Sequence, residues 1–152
     1  IPNTVAAFSR HVLPVSRVDL WLRPGPPLEA DHDYVTHEPG RCGNGWTRLL
    51  DMLTDVWDGW PDRPRHAFVY GLLDVNVPHG VVGCGYVGGN AAAGVLGGDS
   101  GPTMAHEVGH NLGRLHANGC MDPRFSDPNW PNATSPGAII GDSCPPPAGG
   151  SP

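Results

Sequence analysis

The segment HEVGHNLGRLH, residues 106–116, constrains this 152-residue chain more than any other feature of its sequence. His106 and His110 are four residues apart, so on an α-helix their side chains lie one above the other on one face. Two neutral imidazoles in this arrangement can bind one metal ion, and nitrogen ligands of this kind favour zinc. The segment therefore predicts a helix that carries two ligands of a zinc site.

Gly113 and His116 extend this pattern and make it more specific. A glycine can leave a helix in a left-handed backbone conformation, and that turn would bring His116 back as a third ligand. The five-residue pattern of residues 106–110 alone also occurs on ordinary solvated helix faces, but the added glycine and histidine favour the metal site. Three protein ligands leave one tetrahedral position open for water, which is typical of catalytic zinc rather than structural zinc.

Glu107 follows the first predicted ligand directly. Its carboxylate could reach a water molecule at the open position without joining the ligand set. The sequence therefore predicts that Glu107 is a general base and that the metal ligands are His106, His110 and His116.

The pattern resembles the metzincin clan of zinc endopeptidases. Segments at and before the helix resemble the adamalysin or reprolysin type, and these are residues 83–88, 94–96 and 103–107. Later segments resemble bacterial secreted metzincins of the StcE-like kind, and these are residues 113–117, 127–131 and 137–141. The resemblance covers about residues 81–141.

A metzincin-like fold is in the α/β class, with α and β elements combined (α+β). The resemblance implies an upper subdomain of about residues 1–116, with a mixed twisted sheet, a backing helix and an active-site helix. A short irregular lower subdomain would follow over about residues 117–144. Together these form a single catalytic domain, residues 1–144, and residues 145–152 read as a Pro/Gly-rich tail or linker.

The activity that the resemblance implies is that of a secreted zinc endopeptidase with a protein or peptide substrate. An antiparallel edge strand near residues 81–87 would lie over the cleft, where an extended substrate could bind as an additional strand. Two alternatives stay open. One is a non-peptidase zinc hydrolase, such as an amidase or esterase, and the other is a truncated or non-catalytic module that binds zinc.

The chain departs from the family pattern at the methionine that lies in a tight turn beneath the zinc. The only methionine after His116 is Met121, five residues further on. Either Met121 serves in an unusually short turn, or the turn lies beyond residue 152. No tyrosine follows His116, so the chain lacks a downstream tyrosine ligand.

Four cysteines are present and none forms a CxxC pair, so a separate zinc knuckle is not predicted. Four reduced thiols are one interpretation. In a secreted hydrolase two disulfides are expected, and four cysteines allow three pairings. We favour Cys42–Cys84 and Cys120–Cys144.

The formal net charge of −6 argues against nucleic acid as a partner. No apolar run approaches the ~20 residues that a membrane-spanning helix needs. Because the chain starts at Ile1-Pro2, we expect a mature or excised segment, and further domains could follow residue 152.

Hydrophobic periodicity predicts the other elements. A helix starts near Asn44 and presents one apolar stripe, which we interpret as a core-packing face and not as a tryptophan ligand platform: Trp46, Leu49, Leu50, Leu53, Val56, Trp57 and Trp60. Strands are predicted at residues 18–22, 66–73 and 81–87, the second of them central. The small residues 91–98 predict a loop, and the active-site helix is expected over about residues 102–114.

The remaining histidines lack ligand spacing and are interpreted as surface or core residues: His11, His32, His37, His66 and His79. Asp31-His32-Asp33 could suggest a second metal site, but a solvated turn is favoured because regularly spaced oxygen ligands are missing.

Overall fold

The computed structural model describes residues 2–13, 15–24, 26–29, 42–75, 81–117 and 126–127. The helices are α1 (Pro2–Val12), α2 (Asn44–Asp58) and α3 (Ser100–Asn111). The strands are β1 (Val69–Leu73), β2 (Gly83–Gly85), β3 (Ala91–Val95), β4 (His116–Ala117) and β5 (Ser126–Asp127). The predicted combination of α and β elements is confirmed.

The main sheet has three strands in the order β1-β3-β2. β1 runs parallel to β3, with Tyr70 opposite Ala92, and β2 runs antiparallel to β3, with Gly83 opposite Gly94. The sheet is therefore mixed, as predicted. β2 is an antiparallel edge strand of this sheet, which agrees with the expectation from the family resemblance.

The prediction of a loop over residues 91–98 is wrong for its first half, because residues 91–95 form the central strand β3. β1 lies at the edge of the described sheet and not at its centre. The four residues from Ala91 to Gly94 are buried, and helices cover both faces of the sheet at this point. Their small side chains leave room for those helices, but strand propensity favours β-branched and aromatic residues, so the segment gives no strand signal.

Helix α2 covers one face of the sheet. Trp46, Leu49, Leu50 and Leu53 are at most 4 % exposed, and they pack with Leu73, Cys84, Ala91 and Ala93 of the sheet. The apolar stripe is therefore a core face, as predicted, over the first three turns of the helix. Near its end, Trp57 donates its indole N–H to the carbonyl of Ala67, and the Arg63 guanidinium lies 3.7 Å above its ring.

Helix α3 covers the opposite face of the sheet and is backed by α1. Val5 and Ala6 of α1 pack against Met104 and Val108 of α3 in a second core cluster. The sequence analysis did not identify α1. A Cβ on Gly101 would lie 3.1 Å from the Cβ of Phe8, so this glycine allows the two helices to approach closely.

The predicted strand over residues 18–22 is also wrong, because residues 17–23 have no regular structure. The alternation of apolar and polar residues that suggested a strand matches the observed pattern of buried and exposed side chains only in part. Val18 and Leu20 are half-buried, and Leu20 packs against the second core cluster. Trp21 remains largely exposed and makes an edge-to-face contact with Trp60, with ring centroids 6.5 Å apart.

The predicted Cys42–Cys84 disulfide is present, with Cα atoms 6.0 Å apart. It links the residue that comes two positions before α2 to the middle of β2, across a sequence separation of 42 residues. Closing a loop of this length stabilises the folded state by about 4 kcal/mol in the chain-entropy model. The predicted Cys120–Cys144 pair lies outside the described residues.

Most of the predicted lower subdomain and all of the tail lie outside the described residues, which resume after Ala117 only at residues 126–127. No helix in the described part of the chain is long and apolar enough to cross a membrane.

Truncating Leu53 tests the packing of α2 on the sheet. Its side chain lies 2.9 Å from the position that a Cβ on Gly71 would occupy, so the two elements are in tight contact. We expect Leu53→Ala to lower the free energy of unfolding by about 3 kcal/mol, since buried Leu→Ala changes combine a transfer and a cavity cost. Urea denaturation measures this, and a change well under ~1 kcal/mol would contradict the packing described.

Candidate metal centre

The three predicted histidines come together at the end of α3. One ring nitrogen from each of His106, His110 and His116 lies within 4.8 Å of the other two, and no other cluster of this type occurs among the described residues. The ring centroids are 4.8 to 5.0 Å apart. His110 is buried and the other two are half-buried, so the cluster lies just below the surface.

The ring of His110 is oriented by a backbone hydrogen bond. Its Nδ1 lies 2.8 Å from the carbonyl oxygen of Arg114. Because a carbonyl can only accept, Nδ1 carries the proton and donates, and Nε2 is left with the lone pair that a metal needs. Backbone partners of this kind fix the tautomer and ring orientation of metal-binding histidines.

Gly113 provides the turn that brings His116 back to the helix. Its φ is +82°, in the left-handed region that favours glycine. Its N–H donates to the carbonyl of His110 over 2.8 Å, and the N–H of Arg114 donates to the carbonyl of Gly109 over 3.0 Å. These two hydrogen bonds form a Schellman C-cap, so the predicted role of Gly113 in ending the helix is confirmed.

His116 lies in the short strand β4, which runs parallel to β5. In this ladder His116 is opposite Ser126, and Ala117 is opposite Asp127. Ser126 and Asp127 are 4 % and 1 % exposed. The third candidate ligand, His116, is therefore paired with a buried polar segment ten residues further along the chain. The sequence analysis did not assign a role to that segment.

Glu107 is 6 % exposed and points toward the edge strand β2. A Cβ on Gly83 would lie 2.8 Å from its Oε1, and a Cβ on Gly85 would clash with its backbone carbonyl oxygen. Glu107 does not belong to the cluster of metal-ligating atoms, which contains only the three histidines. Its placement is consistent with the predicted separation of base and ligands.

Asn111 joins the end of α3 to the loop between β2 and β3. Its side-chain amide donates to the carbonyls of Tyr86 and Ala91 over 3.0 and 2.9 Å, and it is 5 % exposed. The N–H of Gly88 in the same loop donates to the carbonyl of His110 over 2.8 Å. These bonds hold the helix turn that carries His110 against the sheet. A single Asn gave no signal for this role in the sequence.

The Tyr86 hydroxyl anchors the same loop to α2 by donating to a carboxylate oxygen of Asp51 over 2.6 Å. Desolvation first, and then the hydrogen bond and charge of Asp51, raise the pKa of Tyr86 to about 12. The phenol is therefore neutral, and able to donate this bond, throughout the physiological pH range.

Tyr70 lies beneath the helix on the same side of the sheet as Glu107. Its hydroxyl occupies the space that a Cβ on Gly94 would need, and it has no hydrogen-bond partner among the described residues. Burial raises the pKa of the Tyr70 phenol above its usual range, and the negative charge of Glu107 adds to the shift. A neutral phenol therefore lies under the helix turn that contains the glutamate.

The donor set fits a zinc ion. Three neutral imidazoles are an established ligand set for zinc, and tetrahedral geometry with Zn–N bonds of 2.0–2.1 Å places the three nitrogens about 3.3 Å apart. The three ring nitrogens lie within 4.8 Å of one another, so they would have to move closer together to bind a zinc ion. Met121, the candidate for the turn beneath the metal, lies outside the described residues.

Comparisons with known proteins identify no relative of this chain. No protein-family model matches the chain, and no curated protein or solved structure is significantly similar to it. The function therefore has to be inferred from the residues of the site.

His116→Ala tests whether the triad binds metal. We expect one zinc ion per wild-type chain and a loss of affinity of roughly 10²-fold or more in the variant, since four-ligand structural sites gain about 10–16 kcal/mol in total. Metal analysis and competition with a chelating dye measure both. His66→Ala is the matched control, because His66 is exposed and outside the cluster. An equal effect of the two substitutions would argue against the site.

Gly113→Ala tests the turn. No atom lies within 4 Å of the added methyl group, so the cost comes only from the left-handed conformation. That conformation costs a residue with a Cβ about 1–2 kcal/mol, and we expect the unfolding free energy to fall by this amount and zinc affinity to fall with it. Gly97→Ala is the control, because its surroundings are equally open and it lacks a positive φ. Equal stability of the two variants would contradict the assigned turn.

Proposed function

We propose that this protein is a secreted zinc-dependent endopeptidase of the metzincin type. The observation that carries the proposal is the cluster of His106, His110 and His116, with Glu107 next to His106 on α3 and outside the cluster. Three ligands with an open fourth position are the arrangement of catalytic zinc. A structural site would use a fourth side chain, and no fourth His, Cys, Asp or Glu joins the cluster among the described residues.

The three histidines would hold the zinc ion from two separate elements. His106 and His110 approach it from α3, and His116 approaches it from β4. A zinc ion bound there would polarise a substrate carbonyl and lower the pKa of a water molecule from ~15.7 toward ~7. The Arg114 carbonyl keeps the proton of His110 on Nδ1 and so presents the correct nitrogen to the metal.

Glu107 supplies the proton transfer. Its carboxylate accepts a proton from the attacking water, and the protonated acid then donates that proton to the leaving amine of the cleaved peptide bond. The close glycines on β2 and the buried setting of the side chain keep bulk water away from it. A carboxylate that both removes and returns the proton needs no other titrating side chain.

The choice of a peptide substrate is supported by the sequence resemblance and by the position of β2. This three-residue strand pairs with β3 on one side and lies against the glutamate. An extended peptide that added to its other side by main-chain hydrogen bonds would bring its carbonyl groups close to the site. The proposed secreted location is supported by the Cys42–Cys84 disulfide, because such bonds persist in oxidising compartments.

Glu107→Gln tests the proposed function. The amide preserves the size of the side chain but cannot accept the proton, so we expect zinc to stay bound while the rate of peptide hydrolysis falls by about 10²-fold or more. Cleavage of an unfolded protein and of a peptide library, followed by mass spectrometry, measures the rate. Asp58→Asn, which changes an exposed carboxylate at the end of α2, is the control.

Three outcomes would contradict the proposal in different ways. A zinc-loaded Glu107→Gln variant with near wild-type turnover would remove Glu107 from the mechanism. Hydrolysis of small esters or amides without cleavage of proteins would indicate a different zinc hydrolase. A zinc-loaded wild-type protein that cleaves none of these substrates would indicate a non-catalytic module.

A further inference from the structure

Cys84, the middle residue of β2, connects the Cys42–Cys84 disulfide to the strand that contacts Glu107. Its neighbours Gly83 and Gly85 lie against Glu107, the first against the side chain and the second against the backbone carbonyl. Cys84 itself points to the opposite face of the sheet, where it is fully buried under α2 and joined to Cys42. The disulfide is therefore formed by the residue that lies between the two glycines in contact with Glu107, the proposed base.

β2 is a short strand with few side chains of its own. It is three residues long, and its described ladder is with β3 alone. Two of its three residues are glycines, which give no side-chain packing and leave the unfolded strand with a large conformational entropy. A cross-link from the one residue with a side chain compensates for both deficits.

The contact between Gly83 and Glu107 is sensitive to the position of this strand. A Cβ at Gly83 would meet the Thr103 Cγ2 at 2.7 Å and both Oε1 and Cγ of Glu107 at 2.8 and 2.9 Å. The carboxylate thus rests directly on the strand backbone. A shift of β2 away from α3 would remove this contact with the Glu107 side chain.

We infer that the Cys42–Cys84 disulfide is a positioning device for Glu107: it fixes β2 against α3, and through Gly83 it fixes the carboxylate. This inference rests on the proposed function, because it assigns the held carboxylate the role of the base. None of the three histidines is on β2, whereas β2 itself contacts the Glu107 side chain through Gly83. The loop after β2 reaches only the backbone of His110, through the Gly88 N–H, so zinc affinity is measured beside kcat to separate the two effects.

The first test is the zinc-loaded Cys42→Ser/Cys84→Ser variant. Loss of positioning predicts a kcat that is roughly 10-fold to 10²-fold lower, with KM and zinc affinity close to wild type, since small misplacements of a catalytic group have costs of this order. Leu53→Ala is the matched control. It loosens the same core, but it acts where α2 meets β1, and its kcat should be unchanged at temperatures where it remains folded. Equal kcat in the double variant and wild type overturns the inference, and so does a parallel loss in the control.

A second readout does not depend on activity. Hydrogen exchange compares the two sides of β3 in the same molecule. The amides of Tyr86 and Val95 bond between β3 and the β2 segment, and those of Val69 and Leu96 bond on the β1 side. In the double variant we expect the exchange of the first pair to accelerate at least about 10-fold more than that of the second pair, which reports the loss of global stability that removing the disulfide also causes. Uniform acceleration, or no change in either pair, contradicts the inference.

Nuclear magnetic resonance of the Glu107 carboxyl carbon is a further readout that does not depend on activity. The resonance is assigned by its disappearance in Glu107→Gln. It should shift in the disulfide variant and stay in place in Leu53→Ala. An unchanged resonance in the disulfide variant overturns the inference. If the wild-type protein cleaves no peptide, the proposed function fails, but exchange and the carboxyl resonance still decide whether the disulfide holds the strand and the carboxylate.

Gly83→Ala provides the test if the double variant does not fold. The disulfide stays intact, and the added methyl group pushes directly on the Glu107 side chain. A kcat that falls while zinc stays bound supports the contact on which the inference depends, and an unchanged kcat in the folded variant overturns it. Gly97→Ala again controls for the loss of a glycine in open surroundings.

Discussion

The close approach of α3 to the sheet is the constraint on which the rest of this structure depends. Three glycines on the facing strands make it possible, and at each of them a Cβ would collide with the helix or with a side chain beneath it: Gly83, Gly85 and Gly94. With side chains at these positions the helix would have to move outward, because packed interiors do not leave empty space for such groups. His106, His110 and Glu107 are on this helix and would move with it, away from His116.

This constraint also accounts for the unusual composition of the sheet. A strand between two helices is normally rich in Val, Ile and Leu, yet β3 reads AAAGV. Small residues on both of its faces bring two helices close to one thin sheet, so the core contains little apolar side-chain volume at its centre. Stability is recovered elsewhere, by the large residues of α2 and by the cross-link to Cys42. The stability of this domain therefore depends strongly on a few large buried side chains of α2 and on one disulfide.

The sequence predicted the parts of the molecule that a spacing rule determines. The helix with its histidines and the glycine turn followed from short-range patterns, and both are present. The Cys42–Cys84 disulfide is also present, but its residues are 42 positions apart and no spacing rule chose it among the three possible pairings. The central strand was missed because its residues were selected for size and not for strand propensity. Residues 17–23 alternate like a strand but have no described strand partner. Asn111 and Tyr70 were missed because only the folded chain places them beside the loop and the glutamate.

Because the three histidines are divided between a helix and a separate strand, a metal ion bound to them would contribute to the stability of the fold. β4 and β5 form a ladder of only two residue pairs, and an isolated two-stranded ladder is marginally stable in water even when it is longer. Because His116 belongs to this ladder, the free energy that orders residues 116–117 beside 126–127 and the free energy of metal binding are linked and reciprocal. Interactions that stabilise the ladder would raise the metal affinity of the triad, and a bound metal ion would in turn stabilise the ordered ladder. Such an ion would therefore contribute to tertiary stability in addition to its role in the proposed chemistry.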